Sequence, residues 1–378
     1  MNSTDKLFLL DAYALIYRSY YAFIKNPRIN SKGFNTSAIL GFVNTLEEVL
    51  KKENPTHIGV AFDPSGPTFR HEAYEQYKAQ REETPEAIRL SVPIIKDIIR
   101  AYRIPILEVS GYEADDVIGT LATEAGRQGI ITYMMTPDKD YGQLVSDNVF
   151  MYRPKHSGGF EVMGIDEIKA KFNIRSTEQV IDMLGLMGDS SDNIPGCPGV
   201  GEKTAQKLVA EFDSIENLLA HTDQLKGALK TKVEANREMI TFSKFLATIK
   251  VDVPIKLDMT TLVREEPDEE KLRKIFEELE FRTLIDRVLK KSGAPLSSSS
   301  NSVSPDLYAG TLFARPVDSP TPENNGPVQG DLFANFAGEG TGVSENSNLT
   351  RLEMLDVDYQ LIDTEAVSYT HLRAHETR

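Results

Sequence analysis

Paired cysteines, long apolar runs and, beyond residue 291, lysine are all missing from this chain of 378 residues. The single cysteine, Cys197, can form neither an internal disulfide nor a thiolate metal cluster. That excludes zinc fingers and ribbons, fits a reducing compartment, and leaves oxygen as the ligand for any metal. No run reaches the roughly 18 apolar residues of a membrane span. The polar start MNSTDK is not followed by a signal-peptide core, so the expectation is a cytoplasmic protein without membrane contact. With 40% hydrophobic residues the chain has material for a sizeable core and for about two to three domains.

The missing lysines mark a change of composition. After the charged helical stretch PDEEKLRKIFEELEFRTLIDRVLKK, the chain turns to SGAPLSSSSNSVSPD and stays rich in Ser, Pro, Gly and Asn to about Leu349, the composition of a flexible linker. From Ser292 to Arg378 there are 12 Asp and Glu against 4 Arg, so the tail carries −8 of the net −15 and the first 291 residues carry −7.

Within those 291 residues the pattern is βα. KLFLLD, HIGVAFD and GIITYMMTPD are apolar runs of strand length separated by helix-like stretches, which predicts an α/β fold with a mostly parallel central sheet covered by helices. Each run ends in an aspartate. Asp11, Asp63, Asp138 and the nearby Asp140 would therefore stand at the carboxyl edge of the sheet, where open α/β sheets place ligands.

More carboxylates lie elsewhere. In GYEADDVIGTLATEAGRQG the apolar residues recur at helical spacing, placing Glu113 and Asp116 on one face of a first turn and Asp115 about 100° round. Acids in a first turn also favour the helix dipole. Asp189 and Asp192 in MGDSSDNIPG repeat the i, i+3 spacing and equally suit an Asx-rich turn. Nine carboxylates in one site would need cations. All-oxygen clusters select Mg²⁺ or Mn²⁺, and two such ions about 3.5 to 4 Å apart serve in-line displacement at phosphorus. Without those nine acids the first 291 residues go from −7 to +2, so the remainder can meet a polyanion.

Two segments fit such a partner. If FRHEAYEQYKAQR is helical, Arg70, Tyr74, Tyr77 or Lys78, and Arg81 form one stripe of cations and rings, as single-stranded nucleic acid requires; an ordinary solvated face with interspersed glutamates is the plainer alternative. In IPGCPGVGEKTAQKLVAEF, Gly196, Gly199 and Gly201 precede a helix with Lys203, Thr204 and Lys207 in its opening turns. Its backbone N–H groups could hold a phosphate. A glutamate between glycine and lysine breaks the P-loop pattern. A helix-hairpin-helix clamp on a duplex backbone, or a simple capping turn, remains.

Together these segments resemble the 5′ nuclease domain at the amino end of bacterial DNA polymerase I, of the flap endonuclease superfamily. LFLLDAYALIYRSYYA, FDPSGPTFRHEAYEQYKAQR, GYEADDVIGTLA, TPDKDYGQLV, GDSSDNIPGCPGVGEKTA and EELEFRTLIDRVL occur in the family's order and spacing. The resemblance implies a PIN-like α/β fold, 1–175, with a helical arch near 64–90, and a helical DNA-binding subdomain, 176–291. It also implies a metal-dependent hydrolase of 5′ ends, 5′ flaps and RNA primers that leaves a 5′ phosphate and a 3′ hydroxyl. Asp11, Asp63, Glu113, Asp115, Asp116, Asp138, Asp140, Asp189 and Asp192 match the family's acids for two or more Mg²⁺ or Mn²⁺ ions. Lys78 and Arg81 match its contacts to the scissile phosphate, Arg70 and Tyr77 belong to the same DNA-binding segment, and Gly199, Gly201, Lys203 and Thr204 match its duplex clamp, which can also hold K⁺. A monomer is expected.

The end of the chain carries less. LEMLDVDYQLIDTEA, 350–366, resembles the opening of a truncated proofreading-type exonuclease domain, with Asp363 and Glu365 in a D-x-E spacing. VSYTHLRAHETR, 367–378, reads as translated sequencing adapter. The expectation is a polymerase I fragment without its polymerase domain. In the linker, 292–349, Gln329, Asp331, Leu332 and Phe333 resemble the short peptide that docks on bacterial sliding clamps, and two adjacent apolar anchors in a polar stretch suit a preformed pocket. Two rival functions differ in class. A non-catalytic junction-binding module gains nothing from concentrated negative charge, and a single-strand ribonuclease needs no duplex clamp.

Overall fold

A computed structural model describes residues 5–155 and 158–289. The linker, the clamp-docking residues Gln329, Asp331, Leu332 and Phe333, and the pair Asp363 and Glu365 lie outside the described residues.

A six-stranded sheet runs in the order β3-β2-β1-β4-β5-β6, formed by β1 (Lys6–Asp11), β2 (His57–Ala61), β3 (Ile106–Leu107), β4 (Ile131–Met135), β5 (Val149–Pro154) and β6 (Phe160–Met163). All neighbours pair in parallel except β5 and β6. β1 reads as continuous apolar sequence because both faces of the sheet are covered. Leu7 and Leu9 join one core with Val117, Ile118 and Leu121. Phe8 and Leu10 join the other with Ile16, Ile39, Phe42 and Ile95.

The first helices, α1 (Ala12–Ala22), α2 (Ser37–Lys52), α3 (Phe69–Ala73), α4 (Glu86–Ala101) and α5 (Ala114–Arg127), alternate with the strands. After α6 (Ile165–Phe172) the described chain is helical: α7 (Gln179–Met187), α8 (Glu202–Phe212), α9 (Ile215–Ala220), α10 (Gly227–Ala235) and α11 (Arg237–Ala247). Last, α12 (Glu269–Glu278) and α13 (Arg282–Leu289) return to the core beneath α2 and α4.

The strand order reverses between β1 and β4. Chains leaving their carboxyl ends there diverge to opposite sides and open a crevice, which is where doubly wound sheets bind ligands. Asp11 ends β1, Asp63 follows β2 by two residues, and Asp138 follows β4 by three.

Candidate metal and phosphate site

Three capping interactions set the acids. The Asp11 carboxylate caps α1, accepting from the Ala14 N–H at 3.1 Å, and takes hydrogen bonds from Thr136 Oγ1 at 3.2 Å and the buried Tyr141 hydroxyl at 3.1 Å. Asp63 reaches from the β2 edge to accept the Ala114 N–H at 2.7 Å, tying β2 to the start of α5. Asp138 caps the short 3₁₀ turn Lys139–Leu144 through the Asp140 N–H at 3.0 Å. In each case a helical start leaves N–H groups without intrahelical partners, and a carboxylate fills the need.

Asp189 and Asp192 arrive from the helical part of the chain. Their loop is pinched where Gly188 (φ +72°) crosses Gly196 (φ +62°). A Cβ at Gly196 would fall 2.3 Å from the Gly188 nitrogen, so neither position admits a side chain. The bridge between Asp189 and Ile194 closes the loop, and Lys139 Nζ pairs with Asp189 at 2.9 Å across the crevice.

The segment predicted as one helical stripe is different. Helix α3 stops at Ala73 because Tyr74 is extended, and Tyr77 to Arg81 form turns with Lys78 at φ +56°. The reason is long-range: the Lys78 N–H donates to the Asp192 carbonyl at 3.0 Å, Gln80 and Arg81 donate to the Ser190 and Ser191 carbonyls, and Asn193 donates back to the Gln76 carbonyl. Of these donors only the Lys78 N–H is backbone, the others being side chains, and the Tyr77, Ala79 and Arg81 N–H groups close i→i−3 turns on Tyr74, Gln76 and Lys78. Arg70 and Tyr77, expected on a DNA-facing surface, are buried: Arg70 is 1% exposed, and the Tyr77 hydroxyl donates to Glu113 at 2.9 Å and Asp192 at 3.2 Å. Tyr74 packs edge-on against Phe242. Lys78 and Arg81 do face the acids, Lys78 Nζ at 2.7 Å from Glu113 and 3.6 Å from Asp192, and Arg81 ion-paired to Asp192.

Charge follows from this packing. Burial and the Asp63 charge push the Asp11 carboxyl up to about 7. Burial also raises Asp63, and burial with the neighbouring Asp116 or Asp138 charge raises Asp115 and Asp140 respectively. Asp192 goes the other way: burial opposes ionisation, but Lys78 and Arg81 hold it at about 2. Glu113 is likewise lowered against its burial by Lys78 and Arg70. At the raised acids burial and neighbouring carboxylates outweigh the cations within reach.

The donor set fits hard divalent cations, being all carboxylate. Glu113, Asp115 and Asp116 each bring an oxygen within 4.8 Å of the others. Among the described residues, Asp140 Oδ1 is a buried oxygen without a hydrogen-bond partner. An ion is the kind of neighbour such an atom lacks.

The expected clamp residues gather at the α7–α8 turn. Gly199, Gly201, Lys203 and Lys207 are exposed and Thr204 is half-buried, with Gly201 at the N-cap of α8. Sequence reasoning missed Lys232 of α10, whose Nζ lies 2.5 Å from where a Cβ on Gly199 would stand. Nothing in the local sequence of α10 signals that approach. It also passed over Lys139, Thr136 and Tyr141, although all three lie in or beside TPDKD.

Comparison with known proteins agrees with this architecture. Residues 6–173 match the 5′-3′ exonuclease N-terminal resolvase-like domain, and residues 175–270 match the 5′-3′ exonuclease C-terminal SAM fold. The chain is 42% identical over 291 residues to DNA polymerase I of Bacillus subtilis, covering 76% of this chain and 33% of that one. It is 37% identical over 284 residues to a 5′-3′ exonuclease of Aquifex aeolicus, covering 75% of this chain and 95% of that one. It thus spans about a third of the length of the DNA polymerase I relatives it matches. The fold also resembles a T5 5′-exonuclease structure with bound zinc, at TM-score 0.55 and 22% identity, covering 72% of this chain and 99% of that one. A similar likeness holds to the catalytic core of Rad2 in complex with DNA substrate, at TM-score 0.51 and 18% identity over 75% of this chain and 93% of that one. With both exonuclease domains matched in order and an Aquifex exonuclease covered almost end to end, the chain belongs to the 5′-3′ exonuclease family.

Proposed function

We propose that this chain hydrolyses phosphodiester bonds at 5′ ends and 5′ flaps of DNA, and at the RNA primers that begin such strands. The observation that carries the reading is the convergence of carboxylates from both parts of the chain at the β1/β4 crevice, with Lys78 and Arg81 directly beside them. Asp11, Asp63, Glu113, Asp115, Asp138, Asp140, Asp189 and Asp192 would hold Mg²⁺ or Mn²⁺. Such ions acidify water and offset charge on a scissile phosphate.

The chain's own cations do the rest. Lys78 and Arg81 sit where their donors can pass from Glu113 and Asp192 to a phosphate oxygen, stabilising charge that grows as the bond breaks. Lys203, Lys207 and Lys232, with the N-terminus of α8 and the open backbone at Gly199 and Gly201, would hold a duplex phosphate some distance away; the same turn suits K⁺. The Lys139 ammonium, paired with Asp189, keeps the 3₁₀ turn and the 188–196 loop together. A monomer working in the reducing cytoplasm fits the buried thiol of Cys197. Docking on a sliding clamp through Gln329, Asp331, Leu332 and Phe333 remains a separate proposal, tested by titrating a peptide spanning 326–338 with and without Leu332→Ala and Phe333→Ala.

The test of the nuclease reading separates binding from chemistry. Asp63→Ala and Asp140→Ala should abolish cleavage of a 5′ flap while flap binding in Ca²⁺ persists. Cleavage at native rate by both variants would overturn the reading.

A further inference from the structure

We propose that Asp116, although it stands in the acid cluster, binds no metal ion and instead forms with Arg70 a buried pair that positions Glu113 and Asp115; this rests on the metal reading above. An ionised carboxylate offers about four acceptor positions, and all four of Asp116 are taken. Oδ1 accepts from Arg70 Nη2 at 2.8 Å and from the Lys250 N–H at 2.8 Å. Oδ2 accepts from Arg70 Nη1 at 2.8 Å and from the Glu113 N–H at 3.1 Å. The residue is 0% exposed.

The arginine is equally saturated. Guanidinium has five N–H donors, and here they meet Leu246 O at 2.9 Å, Thr248 O at 2.9 Å, Glu113 Oε2 at 2.9 Å and both Asp116 oxygens. Fork-on-fork pairing of this kind fixes geometry as well as charge. The pair therefore joins α3, the first turn of α5 and the end of α11. A cation could reach Asp116 only by displacing a guanidinium and two backbone amides that have no other acceptor among the described residues. Asp115 differs: its side chain is 25% exposed, lies 3.9 Å from Arg70 and, among the described residues, accepts only the Asp116 N–H at 2.7 Å. Glu113 Oε1 is held by the half-buried Lys78 ammonium, and its Oε2 by Arg70 and the Tyr77 hydroxyl.

Roles then separate among the three acids within the four residues Glu113 to Asp116. Asp115 is the most exposed of the three, Glu113 bridges Lys78 and Arg70, and Asp116 faces inward and fixes where the Arg70 guanidinium sits. Loss of Asp116 would release a buried guanidinium that already touches Glu113, and the cation would neutralise the acids that ions need.

Two measurements test this. In crystals of the native chain grown with Mn²⁺, anomalous density should lie within coordination distance of Asp115 and not of Asp116. An ion on Asp116 overturns this inference alone, whereas no ion on any of the acids overturns the metal reading and this inference with it. In solution, Mn²⁺ titration followed by calorimetry should show Asp116→Asn weakening binding about tenfold or more, the scale of outer-shell changes. Adding Arg70→Gln to Asp116→Asn should recover most of that loss, since the freed charge is gone. If the double variant binds Mn²⁺ as weakly as the single one, with both folded by circular dichroism, Asp116 is a ligand and the proposal fails.

Discussion

Asp11 offers the clearest quantitative consequence of packing acids at one sheet edge. Its carboxyl is raised from 3.8 to about 7, first by burial and then by Asp63. A raised carboxyl means the folded chain keeps a proton that the unfolded chain has released, so its contribution to stability is full below about pH 4 and is lost as pH rises through 7. At about 1.4 kcal/mol per pH unit, the gap between 3.8 and about 7 corresponds to about 4 kcal/mol by pH 8. Roughly 2 to 3 kcal/mol of that falls between pH 5 and 8. Asp11→Asn keeps an oxygen for the Ala14 N–H and removes the titration. In EDTA, scanning calorimetry should find the variant gaining on the native chain across pH 5 to 8, ending several degrees higher in Tm, at roughly 2 °C per kcal/mol for a chain of this size. Asp192, held at about 2, loses its contribution only as pH falls toward that value and leaves this window untouched. Mg²⁺ should narrow the difference, because an ion offsets the same charge. Native and variant curves that stay parallel from pH 5 to 8 would refute the reasoning.

Other consequences follow from the site. Lys78→Ala and Arg81→Ala should each lower single-turnover cleavage about 100-fold or more while flap affinity changes far less, measured by quench flow and anisotropy; equal losses would make them footholds only. Gly196→Ala places a Cβ 2.3 Å from the Gly188 nitrogen at positive φ, so it should destabilise by about 1–3 kcal/mol in urea melts. Lys232→Ala should lower the slope of log K against log salt for duplex binding by about 1, and an unchanged slope would remove it from the clamp.

Strand ends were legible because each apolar run stops at an acid: KLFLLD gives β1 and Asp11, and the start of α5 could be placed from GYEADD. Legibility failed where partners are distant. Nothing within FRHEAYEQYKAQR announces that its helix ends at Ala73, since the bonds that end it go to residues 190–193. Arg70 looked like a surface cation because its partner Asp116 lies 46 residues on. Strands β3, β5 and β6 were also passed over: β3 is two residues long, and VFMYRP and FEVM do not run into an aspartate as the other three strands do.

The most direct measurement is cleavage of a duplex bearing a 5′ flap, under single turnover, in Mg²⁺ and in EDTA. The account predicts cutting near the flap junction with Mg²⁺ that leaves a 5′ phosphate, none in EDTA, and none in Mg²⁺ after Asp138→Ala. Undiminished cutting in EDTA, or by the Asp138→Ala chain, would contradict it.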